Sequence, residues 1–285
     1  MLYPTADAWR AAPNKRVMVF GMSGLGKTHL STILRDTGDW FHYSIDYRIG
    51  TRYMGEYIVN SCIKAAMEHP YLREMLRQDA IYLAPNVHTH DLGAVSTYLG
   101  KPGNPATGGL SFGEYTERQD QFRTAEIAAL NDTAYFADRG KHLYGYPHFI
   151  CDTGGSICEW VEADNDQDEL MKTLSATCLP LWIEGNDAHT AELIRRFDKA
   201  PKPMAYQPAF LASTWSEYLN ENNTSEGEVD PDAFVRWTYA RALAHRQPRY
   251  EAMARWGVTV SANEVATLKT TAEFDDLIAK AIERM

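Results

Sequence analysis

Short apolar runs alternate along the chain with longer segments whose apolar positions recur at helical spacing. Residues 15–20 (KRVMVF) form such a run, stop at a glycine and predict a buried strand. Residues 28–36 predict a helix closed near Gly38, and residues 41–46 a second strand. Over residues 53–67, Met54, Tyr57, Ile58 and Ile63 fall near one helical face. Residues 70–110, with Pro85, Pro102, Pro105 and the Gly108-Gly109 pair, predict mainly loops. Residues 111–140 predict one long helix that buries Phe112, Tyr115, Phe122, Ile127 and Leu130.

Residues 148–152 (HFICD) predict a third strand, residues 178–184 (CLPLWIE) a fourth and residues 258–261 a fifth. Helices are expected at 188–197, 210–219, 271–284 and, around a break at Pro248, at 233–255. Residues 199–208 hold three prolines and predict a loop. Residues 159–169 carry six acids and no base, which predicts a solvated face, and residues 221–232 form an acidic turn. Strands alternating with helices imply a parallel sheet covered on both faces.

Between the first strand and its helix lies Gly21-Met22-Ser23-Gly24-Leu25-Gly26-Lys27-Thr28, an intact G-x-x-x-x-G-K-[ST] phosphate loop. Glycines let backbone N–H groups turn inward around phosphate oxygens, and the helix adds its positive N-terminal end. Lys27 is expected at the β- and γ-phosphates and Thr28 on Mg²⁺. Gly21, Ser23, Gly24, Gly26 and His29 complete the expected nucleotide site, which implies a purine nucleoside triphosphate as cofactor. Asp152 ends the third strand, where a carboxylate either holds Mg²⁺ through water or caps the helix after Gly155; the strand-end position favours the metal role.

Composition narrows the class. The 285 residues are 45% apolar and 23% charged, which excludes a disordered chain and suits one large domain or two small ones. A net charge of −10, from 28 Lys+Arg against 38 Asp+Glu, argues against nucleic acid or an anionic membrane as partner. Cys62, Cys151, Cys158 and Cys178 form no C-x-x-C pair, and no run approaches the roughly 18 apolar residues of a membrane span. Residues 1–16 lack the apolar stretch of a signal peptide, so the expectation is a reduced, cytoplasmic protein.

Several further motifs, in order, resemble the shikimate kinase branch of the nucleoside-monophosphate-kinase-like P-loop proteins. Ser44-Ile45-Asp46-Tyr47-Arg48-Ile49 is similar to the family's D-x-D-x-x-I segment, which places Asp46 at the acceptor hydroxyl and Ser44 where the family has an Asp near Mg²⁺. Phe122-Arg123-Thr124-Ala125-Glu126 resembles F-R-x-x-E, whose Arg binds the substrate carboxylate. Thr153-Gly154-Gly155-Ser156 resembles the T-G-G-G substrate loop with its last glycine lost. Arg246-Gln247-Pro248-Arg249-Tyr250-Glu251 resembles R-x-P-L-Y-E, with Arg246 as a second carboxylate contact. The lid arginine of the family has Lys202 as its nearest cation here, with Arg195 and Arg196 just before it.

The resemblance implies a single three-layer α/β P-loop domain over residues 1–285, with a five-stranded parallel sheet in the order 2-3-1-4-5. Helical insertions at about 69–112 and 199–240 would form a substrate cover and a lid. It also implies an ATP- and Mg²⁺-dependent kinase that phosphorylates a hydroxyl of a small anionic metabolite. With Ser44 in place of an acid, the Mg²⁺-shell carboxylate is expected to have moved to Asp152. The alternative is an ATPase switch that hydrolyses ATP to drive a conformational change or a partner.

Other readings stay open on the residues alone. Arg123 also suits an ion pair with Asp120 or Glu126 at helical spacing, Arg246 a solvated helix end, and Asp46 a turn cap. His88-Thr89-His90-Asp91 offers metal ligands, but no further His or Cys cluster supports them. Asn104-Pro105-Ala106 suits either a binding loop or a plain connection, while Trp215, Trp237, Tyr239 and Trp256 suit the core.

Overall fold

The computed structural model describes residues 2–88 and 92–285. The chain divides into two compact units: Met1–Ile45, Leu130–Pro201 and Arg236–Met285 form the first, and Asp46–Ala129 and Lys202–Val235 the second.

The first unit is built on five strands, β1 (Arg16–Phe20), β2 (Trp40–Ser44), β3 (His148–Asp152), β4 (Leu179–Glu184) and β5 (Val258–Ser261). All pair in parallel, in the order β2-β3-β1-β4-β5. This is the α/β architecture of the P-loop kinases. Val17, Met18, Val19 and Phe20 of the central strand are completely buried, so both faces of the sheet are covered. Helices Thr133–His142 and Glu169–Thr177 pack together against β2, β3 and β4, Lys27–Asp36 packs on β2 and β3, and Thr271–Glu283 on β5. The last of these opens with a capping box between Thr270 and Glu273 and buries Phe274, Leu277, Ile278 and Ala281, one apolar stripe at helical spacing. Phe274 meets Trp9 and Trp40 edge-on.

The second unit is helical. Tyr115, Tyr206, Leu211, Trp215 and Phe234 form its core, in which Phe112 stacks on Trp215 at 4.7 Å. Gln119 ties a chain segment into place by donating to Met204 O at 2.9 Å and accepting from Tyr206 N at 2.9 Å. The Gly/Pro-rich stretch at 100–110 is likewise anchored. Asn104 N donates to Val229 O at 2.8 Å, and a Cβ on Gly103 would stand 2.5 Å from that same carbonyl. No helix among the described residues is long and apolar enough to cross a membrane.

Several expected elements differ from those found. Residues 70–110 hold helices Pro70–Arg77 and Gly93–Leu99; Pro70 sits at the first turn, where a missing N–H costs nothing and its fixed φ favours a helix. The long helix expected at 111–140 is two, Phe112–Asn131 and Thr133–His142, with Thr133 Oγ1 donating to Leu130 O at 2.6 Å at the break. Strand β2 ends at Ser44, and Asp46 lies in the first turn of a helix, Ile45–Arg48, that runs into a π-helical turn at Ile49–Tyr53. Helix Pro231–Ala254 runs through Pro248 without a break. A first helix, Ala6–Ala11, precedes the sheet. Glu159 is 3% exposed, unlike most of the acidic stretch it begins.

Candidate functional site

The phosphate loop leaves the tip of β1 through three glycines in the left-handed region, Gly21 (φ 139°), Gly24 (φ 87°) and Gly26 (φ 106°). A side chain at any of them meets both backbone strain and a neighbour: a Cβ on Gly21 would stand 2.7 Å from Ile183 O, and one on Gly24 2.9 Å from Leu193 Cδ2. Gly26 caps helix Lys27–Asp36, whose buried face is Lys27, Leu30, Ser31 and Leu34. The Lys27 ammonium is drawn inside the loop, donating to Gly21 O at 2.8 Å and Met22 O at 3.0 Å. Ser23 and Thr28 are exposed, whereas the exposed His29 places Nε2 3.2 Å from Leu268 O.

Asp152 lies at the tip of β3, in register with Val19 of β1 on one side and Ser44 of β2 on the other. Ser44, which stands where the resemblance expects an acid, is thus the register neighbour of Asp152. Oδ2 of Asp152 accepts a hydrogen bond from Ser31 Oγ at 3.2 Å and stands 3.6 Å from His42 Nε2. The short helix after Gly155, Ile157–Glu159, has Ser156 and not Asp152 at its cap position.

The glycine loop after β3 is pressed against the phosphate loop. Thr153 Oγ1 donates to Val19 O at 2.9 Å, and a Cβ on Gly155 would stand 2.9 Å from Ser23 Oγ and 3.9 Å from Arg246 Nη1. Gly154 is buried beside it. Helix Pro231–Ala254 clasps this loop with side chains one turn apart. Tyr250 Oη donates to Gly155 O at 2.5 Å, Arg246 Nε donates to Glu159 Oε1 at 2.6 Å, and Arg249 Nε donates to Cys158 O at 2.6 Å. His245 Nε2 lies 3.2 Å from the other Glu159 oxygen.

The Glu159 and Arg246 side chains are 0% and 6% exposed. Burial works against the charge on Glu159, but Arg246 and His245 outweigh it and hold the carboxyl below its ordinary range. Burial likewise opposes the Arg246 charge, and Glu159 outweighs it and raises the guanidinium further. Burial pushes the neighbouring Cys158 thiol up to about 12, so it stays protonated and inert. In the sequence Glu159 is hidden because it opens an acidic run; its apolar neighbours Ile157, Cys158 and Val161, all buried, are the available signal.

One unit thus brings together the phosphate loop, Asp152, Gly154, Gly155 and Arg246. Asp46, Arg123 and Lys202 belong to the second unit. There Arg123 Nη2 pairs with Asp120 at 3.1 Å with its side chain 41% exposed, and Lys202 is exposed. Arg195 and Arg196, on helix Asp187–Lys199 of the first unit, both pair with Glu192 at 2.6 Å, and hydrogen bonds from the two arginines pull its carboxyl down to about 2. Thr89, His90 and Asp91 lie outside the described residues; His88 is exposed, and no cluster of three metal-ligating side chains occurs among the described residues.

No protein-family model matches the chain, and no curated protein does. Among solved structures, shikimate kinase from Bacteroides thetaiotaomicron is similar at 15% identity over 95% of each chain, with a TM-score of 0.40. The strand order and the loop between β1 and its helix carry the P-loop fold.

Proposed function

We propose that this chain is a P-loop kinase that binds ATP and transfers its γ-phosphoryl group to a hydroxyl of a small anionic metabolite. The observation that carries the reading is the phosphate loop itself. Three positive-φ glycines, an N-terminal helix end and a buried lysine ammonium are arranged around one strand tip, with a carboxylate on the next strand. These residues fit a nucleoside triphosphate with its cation: Lys27 would meet the phosphates, Thr28 would ligate Mg²⁺ and Asp152 would hold it through water. When bound, Mg²⁺ neutralises charge on the β- and γ-oxygens. Phosphoryl transfer needs positioning more than covalent chemistry, so the protein's task is alignment and charge stabilisation.

In this reading Asp46 is assigned to the acceptor hydroxyl, Arg123 and Arg246 each to an anionic group of the acceptor, and Gly154 and Gly155 to the substrate loop beside Ser23. Residues 69–112 supply a cover and 199–240 a lid that carries Lys202, with Arg195 and Arg196 as further phosphate cations just before it on helix Asp187–Lys199. The net charge of −10 supports a small-molecule partner over nucleic acid or membrane, and four cysteines without a C-x-x-C pair suit a reduced, cytoplasmic setting.

The ATPase switch is the second reading. The pairing of Arg123 with Asp120 and of Arg246 with Glu159 favours it, because both arginines already meet a carboxylate. A metabolite-mixture assay that follows ADP release, with Lys27→Ala as blank, separates the two. Acceptor-dependent release supports the kinase; acceptor-independent hydrolysis overturns it in favour of the switch.

A further inference from the structure

His42 lies on β2 two residues before Ser44, so the two side chains share one face of the strand. Its side chain is 11% exposed, and Nε2 is buried with no hydrogen-bond partner. Buried ring nitrogens are almost always satisfied, so an unsatisfied one calls for an explanation. The Asp152 Oδ2 atom, 3.6 Å away, is within reach of a small closure that would make an N–H···O bond. That same oxygen already accepts the Ser31 hydroxyl, from a residue 1% exposed and one turn into the helix that follows the phosphate loop. Oδ1 of Asp152 accepts no hydrogen bond among the described residues. The carboxylate is thus approached on one oxygen by two donors from two different elements and left open at the other.

We propose that His42, together with Ser31, is a positioning pair that fixes Asp152 through Oδ2 and leaves Oδ1 for the divalent cation that accompanies the nucleotide. Outer donors of this kind set the orientation and basicity of a ligating carboxylate, and removing one lowers metal affinity about 10–100-fold. The inference rests on the metal role assigned to Asp152 above. The face of β2 that carries Ser44 in this way supplies an imidazole to steady the carboxylate on its neighbour β3.

Mn²⁺ binding in the presence of ADP, followed by electron paramagnetic resonance, tests the pair without turnover. ADP affinity in EDTA, by calorimetry, and the thermal midpoint are measured on the same samples. His42→Ala is expected to weaken Mn²⁺ about tenfold and to leave metal-free ADP affinity unchanged, and His42→Gln, whose amide N–H can reach the same oxygen, to recover most of the loss. A purely structural His42 would lower the midpoint in both variants and shift metal-free ADP affinity as much as Mn²⁺ affinity, which overturns the proposal. Loss with Asp152→Asn but not with His42→Ala overturns the His42 assignment alone. No loss with Asp152→Asn overturns the metal reading of Asp152, and this inference with it.

Discussion

Replacing Glu159 with Gln keeps the shape of the side chain and removes its charge from a site where neither partner has water to turn to. The Arg246 guanidinium remains, 6% exposed, with its 2.6 Å charged contact reduced to a neutral one. Two unit charges about 4 Å apart interact by about 4 kcal/mol at an effective dielectric of about 20. Breaking one side of a buried pair costs about 3–5 kcal/mol for the same reason. The expected result at pH 7 is a loss of that size in urea unfolding, seen as a lower midpoint with an unchanged slope, and a fall in Tm of roughly 6–20 °C. The double variant Glu159→Gln/Arg246→Met should recover much of it, since the buried Arg246 charge is then removed together with that of its carboxylate partner. The pH dependence has a definite sign. Glu159 titrates below its ordinary value of 4.5, so its contribution is present above pH 4.5 and is lost as pH falls through the lowered folded value. Parent and Glu159→Gln stabilities should therefore converge in acid below pH 4.5. A loss under about 1 kcal/mol at pH 7, the value of an exposed pair, refutes the reasoning.

Three other substitutions probe other parts of the molecule. Lys27→Ala should cut nucleotide turnover at least about 100-fold by removing the charge at the phosphates, with circular dichroism unchanged; near-normal turnover removes Lys27 from the site. Gly257→Ala puts a Cβ 2.0 Å from Pro180 O, a backbone atom that cannot swing aside, and should destabilise by at least about 1–3 kcal/mol in a melting curve. Arg123→Ala breaks a pair whose side chains are 41% and 61% exposed, so stability should change by less than about 1 kcal/mol. Any rise in acceptor KM then reports substrate contact, and an unchanged KM leaves Arg123 to Asp120.

The sheet was legible because each strand is a short apolar run ended by a polar or glycine residue, and the phosphate loop because its chemistry sits in one contiguous stretch. Strand β3 came out at its true limits, His148–Asp152. The helices at Pro70–Arg77 and Gly93–Leu99 were hidden by the proline and glycine content around them, which marks helix starts as well as loops. The break after Asn131 was hidden because Thr133 takes the Leu130 carbonyl, an event that leaves the apolar spacing intact. Glu159 and His42 share a different cause. Each owes its role to a residue far along the chain, Arg246 in one case and Asp152 in the other, and only strand register and helix placement bring those partners together.

The sheet order also governs how the chain can be made. Strand β3 lies between β1 and β2, and the whole of residues 46–129 is synthesised before it. A nascent chain that has emitted β1 and β2 therefore displays two apolar strands, each lacking its β3 partner, while the second unit is still being translated. The Asp152 carboxylate and the strand that joins β1 to β2 arrive in the same five residues, so this half of the sheet and the candidate metal position are completed in one step.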